Sequence, residues 1–153
     1  MGCEDCLNRR AFLARSAAAA AAAALGAGCG NGVFGPPLPT HGAGGIPSGT
    51  VTITVSQFPA LATAGQLVQI DLDRAVARTS ATTFRALSTI CTHQGCDAAV
   101  TSQNIIECGC HFSRFNPDGT VINGPDNSPP STIRPLAQLP TQYDPQTDKL
   151  TIG

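Results

Sequence analysis

Two short stretches, CTHQGC at 91–96 and CGCHFSRF at 108–115, hold four of the seven cysteines and two of the three histidines of this 153-residue chain. Each stretch pairs one soft sulfur donor with one imidazole: Cys91 with His93, and Cys108 with His111. Thiolate and neutral imidazole are good ligands for transition metals. The order Cys, His, Cys, His, split between two loops, suits a two-iron, two-sulfide cluster with both cysteines on one iron and both histidines on the other. A structural zinc site suits it less, because such sites usually pair like ligands within a loop.

The remaining cysteines of these stretches flank the histidines. Cys96 lies three residues after His93, and Cys110 directly precedes His111. Two loops closing on one cluster would bring these thiols together, and in an oxidising compartment they would join, pinning loop to loop. The competing reading puts all four cysteines into two disulfides with no metal, and leaves both histidines unexplained.

CTHQGC, CGCHFSRFNPDG and the NGP at 123–125 resemble the cluster-binding boxes of Rieske iron-sulfur proteins, over about residues 85–127. The resemblance implies one [2Fe-2S] cluster per chain, with Cys91 and Cys108 on one iron and His93 and His111 on the outer iron, and no catalytic residue of the chain's own. The Cys96 and Cys110 pair is similar to the disulfide-bearing, high-potential branch of the family. There the position of Ser113 donates a hydroxyl hydrogen bond to a bridging sulfide, which stabilises the reduced cluster and raises its potential. Two residues on, a tyrosine that often bonds a cysteine ligand is here Phe115, which implies a lower potential. Gln94 stands where respiratory-complex members often have leucine, and Gly109 and Phe112 replace a common proline and glycine, all beside the exposed histidines where a partner would dock. HFS at 111–113 is similar instead to the small subunits of arsenite oxidases. The implied activity is single-electron transfer through His93 and His111 at a solvent-facing tip, with their ring protons available to couple electron and proton uptake. The expected partner is a redox protein: a cytochrome of a membrane quinol-oxidising chain, or the large subunit of an exported molybdenum oxidoreductase. A metal-stapled binding module without redox activity is a third expectation, tied to a site that takes zinc.

The elements that would position these residues are short β-branched or alternating runs broken by turns. TVTITV at 50–55, LVQIDL at 67–72, TTFRALSTI at 82–90, TVI at 120–122 and KLTI at 149–152 read as strands. Proline and glycine turns separate them, among them Asp118-Gly119, and Gly124-Pro125 opens a loop expected to cover the cluster. No helical period competes after residue 50. The expectation is an all-β domain over 50–153 with the two metal-binding stretches on connecting loops, about 88–127. The family resemblance implies an antiparallel β-sandwich with a small cluster-binding subdomain. Arg114 reads as an ordinary surface residue with a possible docking role.

Residues 1–28 read as an address rather than as fold. Arg9 and Arg10, then Phe12 and Leu13, precede an alanine-rich apolar run at 17–28, which resembles a twin-arginine export signal. That pathway carries folded, cofactor-loaded proteins, which agrees with the metal motif. Cys29 follows LGAG in an imperfect lipoprotein-like site, so lipidation of Cys29 and an uncleaved anchor are both open. Cys3 and Cys6 precede the signal arginines and are expected to leave with it. Residues 29–49, dominated by glycine and proline, read as a tether, with His41 a solvated linker residue. The expected location is the periplasm or the outer face of the cytoplasmic membrane.

Composition agrees. With 42% hydrophobic and 12% charged residues the chain supports one modest core, and a net charge of −1 without a basic run argues against a nucleic-acid partner.

Overall fold

The computed structural model describes residues 45–153; the expected export signal, Cys29, His41 and most of the tether lie outside the described residues. The described residues are all-β, with 3-10 turns between the strands. The strands are β1 (Val51–Thr54), β2 (Leu67–Gln69), β3 (Arg74–Arg78), β4 (Phe84–Ser88), β5 (Ala98–Val100), β6 (Ile106–Cys108), β7 (Arg114–Phe115), β8 (Val121–Asn123), β9 (Gln138–Leu139), β10 (Thr141–Asp144) and β11 (Lys149–Ile152). They form three antiparallel sheets, ordered β1-β11-β10, β2-β3-β4-β9 and β5-β6-β7-β8.

Side chains alternate across a strand, so a sheet buried on both faces must be apolar at successive positions. That is the sequence of β3, RAVAR, and of β4, FRALS. Val76, Phe84 and Ala86 face one core with Ile53, Leu61, Leu139, Leu150 and Ile152. Ala75, Ala77 and Leu87 point the other way, into a core with Ile106, Phe115, Cys91 and Cys108. The middle sheet therefore makes the sandwich with the β1-β11-β10 sheet on one side and carries the small β5–β8 subdomain on the other.

Two polar side chains fasten that subdomain to the edge strand β2. Asn104, left-handed at φ 59°, accepts the Leu67 N–H at 2.7 Å and donates to Gly65. Gln69 accepts the Val100 N–H at 3.0 Å and donates to Thr89. A buried edge strand leaves backbone groups that need partners, and these amides supply them.

The β7–β8 turn forms at the expected Asp118-Gly119. Gly119 has φ +88°, and a Cβ there would meet Leu87 Cδ2 at 3.0 Å and the Leu136 carbonyl at 3.3 Å, so both backbone and packing exclude a side chain. Asp118 closes the turn by accepting the N–H and hydroxyl of Thr120.

The runs expected at 50–55, 67–72, 82–90 and 149–152 contain β1, β2, β4 and β11, and the run at 120–122 overlaps β8, which extends to Asn123. Strands β3, β5, β6, β7, β9 and β10 were not expected. Those of two or three residues, such as β7 and β9, carry no period of their own and exist through pairing. Nor are both metal-binding stretches wholly loops, since Cys108 ends β6 and Arg114–Phe115 is β7.

The last residues read as tether lie along the sandwich. Arg74, 4% exposed, donates Nη2 to the carbonyls of Ser48 at 2.9 Å and Gly49 at 2.7 Å, and pairs Nη1 with Asp71 at 3.0 Å. Ser88 Oγ donates to the Gly45 carbonyl at 3.0 Å. A buried guanidinium needs acceptors, and the backbone of 45–49 provides them.

Candidate metal centre

The two stretches close in the same way. In the first, the Cys91 N–H donates to the Cys96 carbonyl at 2.8 Å, and the Gly95 N–H donates back to the Cys91 carbonyl at 2.9 Å. In the second, the Cys108 N–H donates to the Ser113 carbonyl at 2.9 Å, and the Phe112 N–H donates back to the Cys108 carbonyl at 2.9 Å. Each turn places its fifth residue in the left-handed region, Gly95 at φ 75° and Phe112 at φ 57°. Glycine takes that conformation freely, whereas a bulky aromatic is strained there.

Both leading cysteines are buried, Cys91 and Cys108 each 1% exposed, and their thiols are free. The Cys91 thiol is pushed up by the neighbouring Cys108 and by burial. Cys108 is held down to about 6, first by the neighbouring Cys91 and then by the Cys110 and His111 backbone. His93 and His111 stand half-buried above them, ring centroids 4.8 Å apart and nearly perpendicular at 75°. Cys96 and Cys110 are joined in a disulfide between the two loops.

The donors fit a two-iron cluster held by two cysteines and two histidines. His93 Nδ1 and Ser113 Oγ are buried with no hydrogen-bond partner. Each such orphan costs about 1–3 kcal/mol unless something occupies the space it faces. Ser113 lies close enough to Cys91 to draw its pKa down, but without hydrogen-bond geometry, which leaves the hydroxyl for another acceptor. Two thiols, an orphaned imidazole nitrogen and an orphaned hydroxyl converging on one place are what such a cluster requires.

The surroundings are fixed by residues that motif reading did not single out. Thr92 Oγ1 donates to the Arg134 carbonyl at 2.6 Å, tying the first loop to the segment before β9. Asn123 Nδ2 donates to the Phe112 carbonyl at 3.0 Å, holding the strained residue. The loop opened by Gly124-Pro125 reaches the site, where the Asp126 N–H donates to the His111 carbonyl at 2.7 Å. A Cβ on Gly124 would fall 2.0 Å from Thr132 Oγ1 and 2.5 Å from Ser128 Oγ, so a side chain at the loop's root would have to displace both hydroxyls. Asp126 and Asn127 both take positive φ, and that Asp-Asn pair was the available sequence signal for such a turn.

Phe112 is 55% exposed beside His111, and Gln94 is exposed beside His93. Arg114 is paired across β6 and β7 with Glu107, in keeping with its surface reading. Phe115 is fully buried in the core that contains Cys91 and Cys108.

A family model described as the Rieske [2Fe-2S] domain matches residues 51–141. A Bacillus subtilis protein described as the Rieske 2Fe-2S iron-sulfur protein YhfW is 38% identical over 77 residues, 49% of this chain and 14% of its own length. A Haloferax mediterranei protein described as a Rieske subunit of respiratory nitrate reductase is 41% identical over 58 residues, 37% of this chain and 24% of its own. The cytochrome b6-f complex iron-sulfur subunit of Chlorobaculum tepidum is 33% identical over 69 residues, 42% of this chain and 36% of its own. The matched region is thus between 14% and 36% of the length of these relatives.

Proposed function

Because this chain belongs to the Rieske [2Fe-2S] domain family, we propose that it carries single electrons as an exported component of a membrane quinol-oxidising, cytochrome bc-type chain. When bound, the [2Fe-2S] cluster supplies one-electron uptake and release. Cys91 and Cys108 would hold one iron as thiolates, and His93 and His111 would hold the other through ring nitrogens. The half-buried imidazoles face the partner, and each keeps a second ring nitrogen that can hold or release a proton. Ser113 donates its buried hydroxyl toward the sulfur side of the site. Phe115 and the surrounding core exclude water from the two thiolates.

The observation that carries this reading is the Cys96–Cys110 disulfide between the two loops, with the free Ser113 hydroxyl behind it. The test is a voltammetric titration of the reduction potential against pH. Among His-ligated centres, which span about −150 to +300 mV, this chain is expected at the positive end, with a potential that falls at alkaline pH. A potential near the lower limit that stays flat through neutral pH would indicate a ferredoxin-like carrier and overturn the assignment.

A second reading, the small electron-transfer subunit of an exported molybdenum oxidoreductase such as arsenite oxidase, is supported by HFS at 111–113. The Haloferax relative described as a nitrate reductase subunit points the same way. Co-purification with a molybdopterin-containing large subunit supports this second reading, and co-purification with a cytochrome b supports the first. Iron and acid-labile sulfide in the isolated protein separate both from a metal-stapled binding module, which would carry neither.

Export by the twin-arginine route to the outer side of the cytoplasmic membrane completes the reading, with the domain on a Gly/Pro-rich tether and Cys29 a candidate for lipidation. Replacing Arg9 and Arg10 by lysine should retain the protein in the cytoplasm. The mass of the mature N-terminus tests cleavage and lipidation, since an unmodified Cys29 excludes the lipid anchor.

A further inference from the structure

The cysteines of the two loops also make a pattern of their own. Within each loop they are like ligands, with four residues between Cys91 and Cys96 and one between Cys108 and Cys110. The sulfurs of Cys96, Cys108 and Cys110 lie within 4.8 Å of one another, and Cys91, a free thiol, is buried in the same core cluster as Cys96 and Cys108. Zinc binds four thiolates tetrahedrally at about 2.3 Å, which places the sulfurs about 3.8 Å apart. Opening the disulfide lets its two sulfurs separate toward that spacing, and the other sulfur is already near. Cys91, Cys96 and Cys108 are buried and Cys110 is half-buried.

We propose that reduction of the Cys96–Cys110 disulfide creates a second metal site, in which Cys96, Cys108 and Cys110, with Cys91 as fourth ligand, take a thiophilic divalent ion such as zinc. A dithiol or phosphine reductant supplies two electrons, the S–S bond breaks, and two protons complete the new thiols. Binding the ion then releases the thiol protons to water, since a coordinated thiol is deprotonated. Cys91 and Cys108 belong to both donor sets, so the sets exclude one another. With the disulfide closed, two thiolates and two imidazoles remain for the iron cluster; with it open, four sulfurs compete for a single ion. The disulfide thereby sets which metal the loops accept. Only this competition rests on the electron-carrier reading; the four-sulfur site stands on the sulfur geometry.

The test uses the full chain, stripped of metal, disulfide-bonded or reduced with a phosphine, and titrated with cobalt(II) and then zinc(II). The reduced protein is expected to bind one cobalt with the intense sulfur-to-cobalt charge-transfer absorption of a thiolate-rich site, and zinc should displace it. The disulfide-bonded protein should bind at least about tenfold more weakly, with a weaker band. Reduced Cys96→Ser and Cys110→Ser should each lose band intensity and at least about tenfold in affinity. Equal binding and equal spectra in the two redox forms, or in the reduced variants, would overturn the proposal, because the ion would then be using the mixed cysteine and histidine set. Circular dichroism runs alongside: if reduction loosens the fold, cobalt must restore it, and a reduced protein that neither binds nor refolds also overturns the proposal. Iron and sulfide content of the untreated protein reports separately on the electron-carrier assignment.

Discussion

Cys96 and Cys110 are bonded to one another with their Cα atoms 6.5 Å apart, and through them the loop carrying His93 is tied to the loop carrying His111. The bond closes a chain segment with a sequence separation of 14, and in the chain-entropy account a closure of that length stabilises the folded state by about 3 kcal/mol.

Cys96→Ser is therefore expected to cost about 3 kcal/mol in denaturant unfolding, and to hasten the loss of iron to a chelator. An unchanged unfolding midpoint together with unchanged iron release would mean that the disulfide does not restrain the loops.

Ser113 and Phe115 should move the potential in opposite directions. Ser113 has a buried hydroxyl without a protein partner, and Phe115, fully buried, packs in the core that holds both thiols. One hydrogen bond of about 1 kcal/mol corresponds to about 40 mV for a one-electron couple. Ser113→Ala should lower the potential by about that much, and Phe115→Tyr should raise it by a similar amount if the core admits the hydroxyl. Voltammetry reads both, and an unmoved potential in Ser113→Ala would place its hydroxyl away from the cluster.

Phe112 occupies the left-handed position that Gly95 occupies in the other loop. Relieving a left-handed side chain is worth about 1 kcal/mol, and the exposed ring contributes little packing to offset that. Phe112→Gly should raise the thermal midpoint by several degrees, and a lowered midpoint would show that the ring packs on its surroundings after all.

Arg74 holds the carbonyls of Ser48 and Gly49. A chain beginning at Gly45 should fold as stably as the full protein, whereas one beginning at Thr50 leaves the buried guanidinium short of acceptors. A loss of about 2 kcal/mol is expected for the shorter form, because a hydrogen bond to a charged group is worth that order. Equal denaturation midpoints for the two truncations would show that the segment contributes no stability.

Asp148 sets part of the acid limit. It accepts the Ser56 N–H at 2.8 Å and the Tyr143 hydroxyl at 2.9 Å. The Ser56 N–H above all holds its carboxyl below the usual range, and the same carboxylate pushes Tyr143 up. The folded form therefore binds protons less readily than the unfolded one, whose value is about 3.9. Its stabilisation is complete above that pH and is lost as pH falls through the lower folded value. Asp148→Asn keeps the positive φ that asparagine tolerates. It should lower the thermal midpoint at neutral pH and narrow the drop between about pH 5 and pH 2; an equal drop in both proteins would remove Asp148 from the acid limb.

What the sequence determined by itself was a candidate donor set. Cys91, His93, Cys108 and His111 announce a mixed sulfur and nitrogen donor set by type and spacing alone, because few other arrangements need both ligands twice in such short stretches. The strands whose residues carry a period, β1, β2, β4, β8 and β11, were legible for the same local reason. Tertiary structure decided what depends on distant partners. It paired two- and three-residue strands that have no signal of their own, and buried the middle sheet on both faces. It laid residues 45–49 along Arg74 although their composition reads as a tether, because carbonyls seeking a guanidinium leave no mark in composition. It put Phe112 into a glycine conformation, held by the Asn123 amide from the neighbouring strand. And it gathered the sulfurs of Cys96, Cys108 and Cys110 within 4.8 Å of one another, a proximity that arises only when β6 pairs with β5 and β7 and the two loops close above the core.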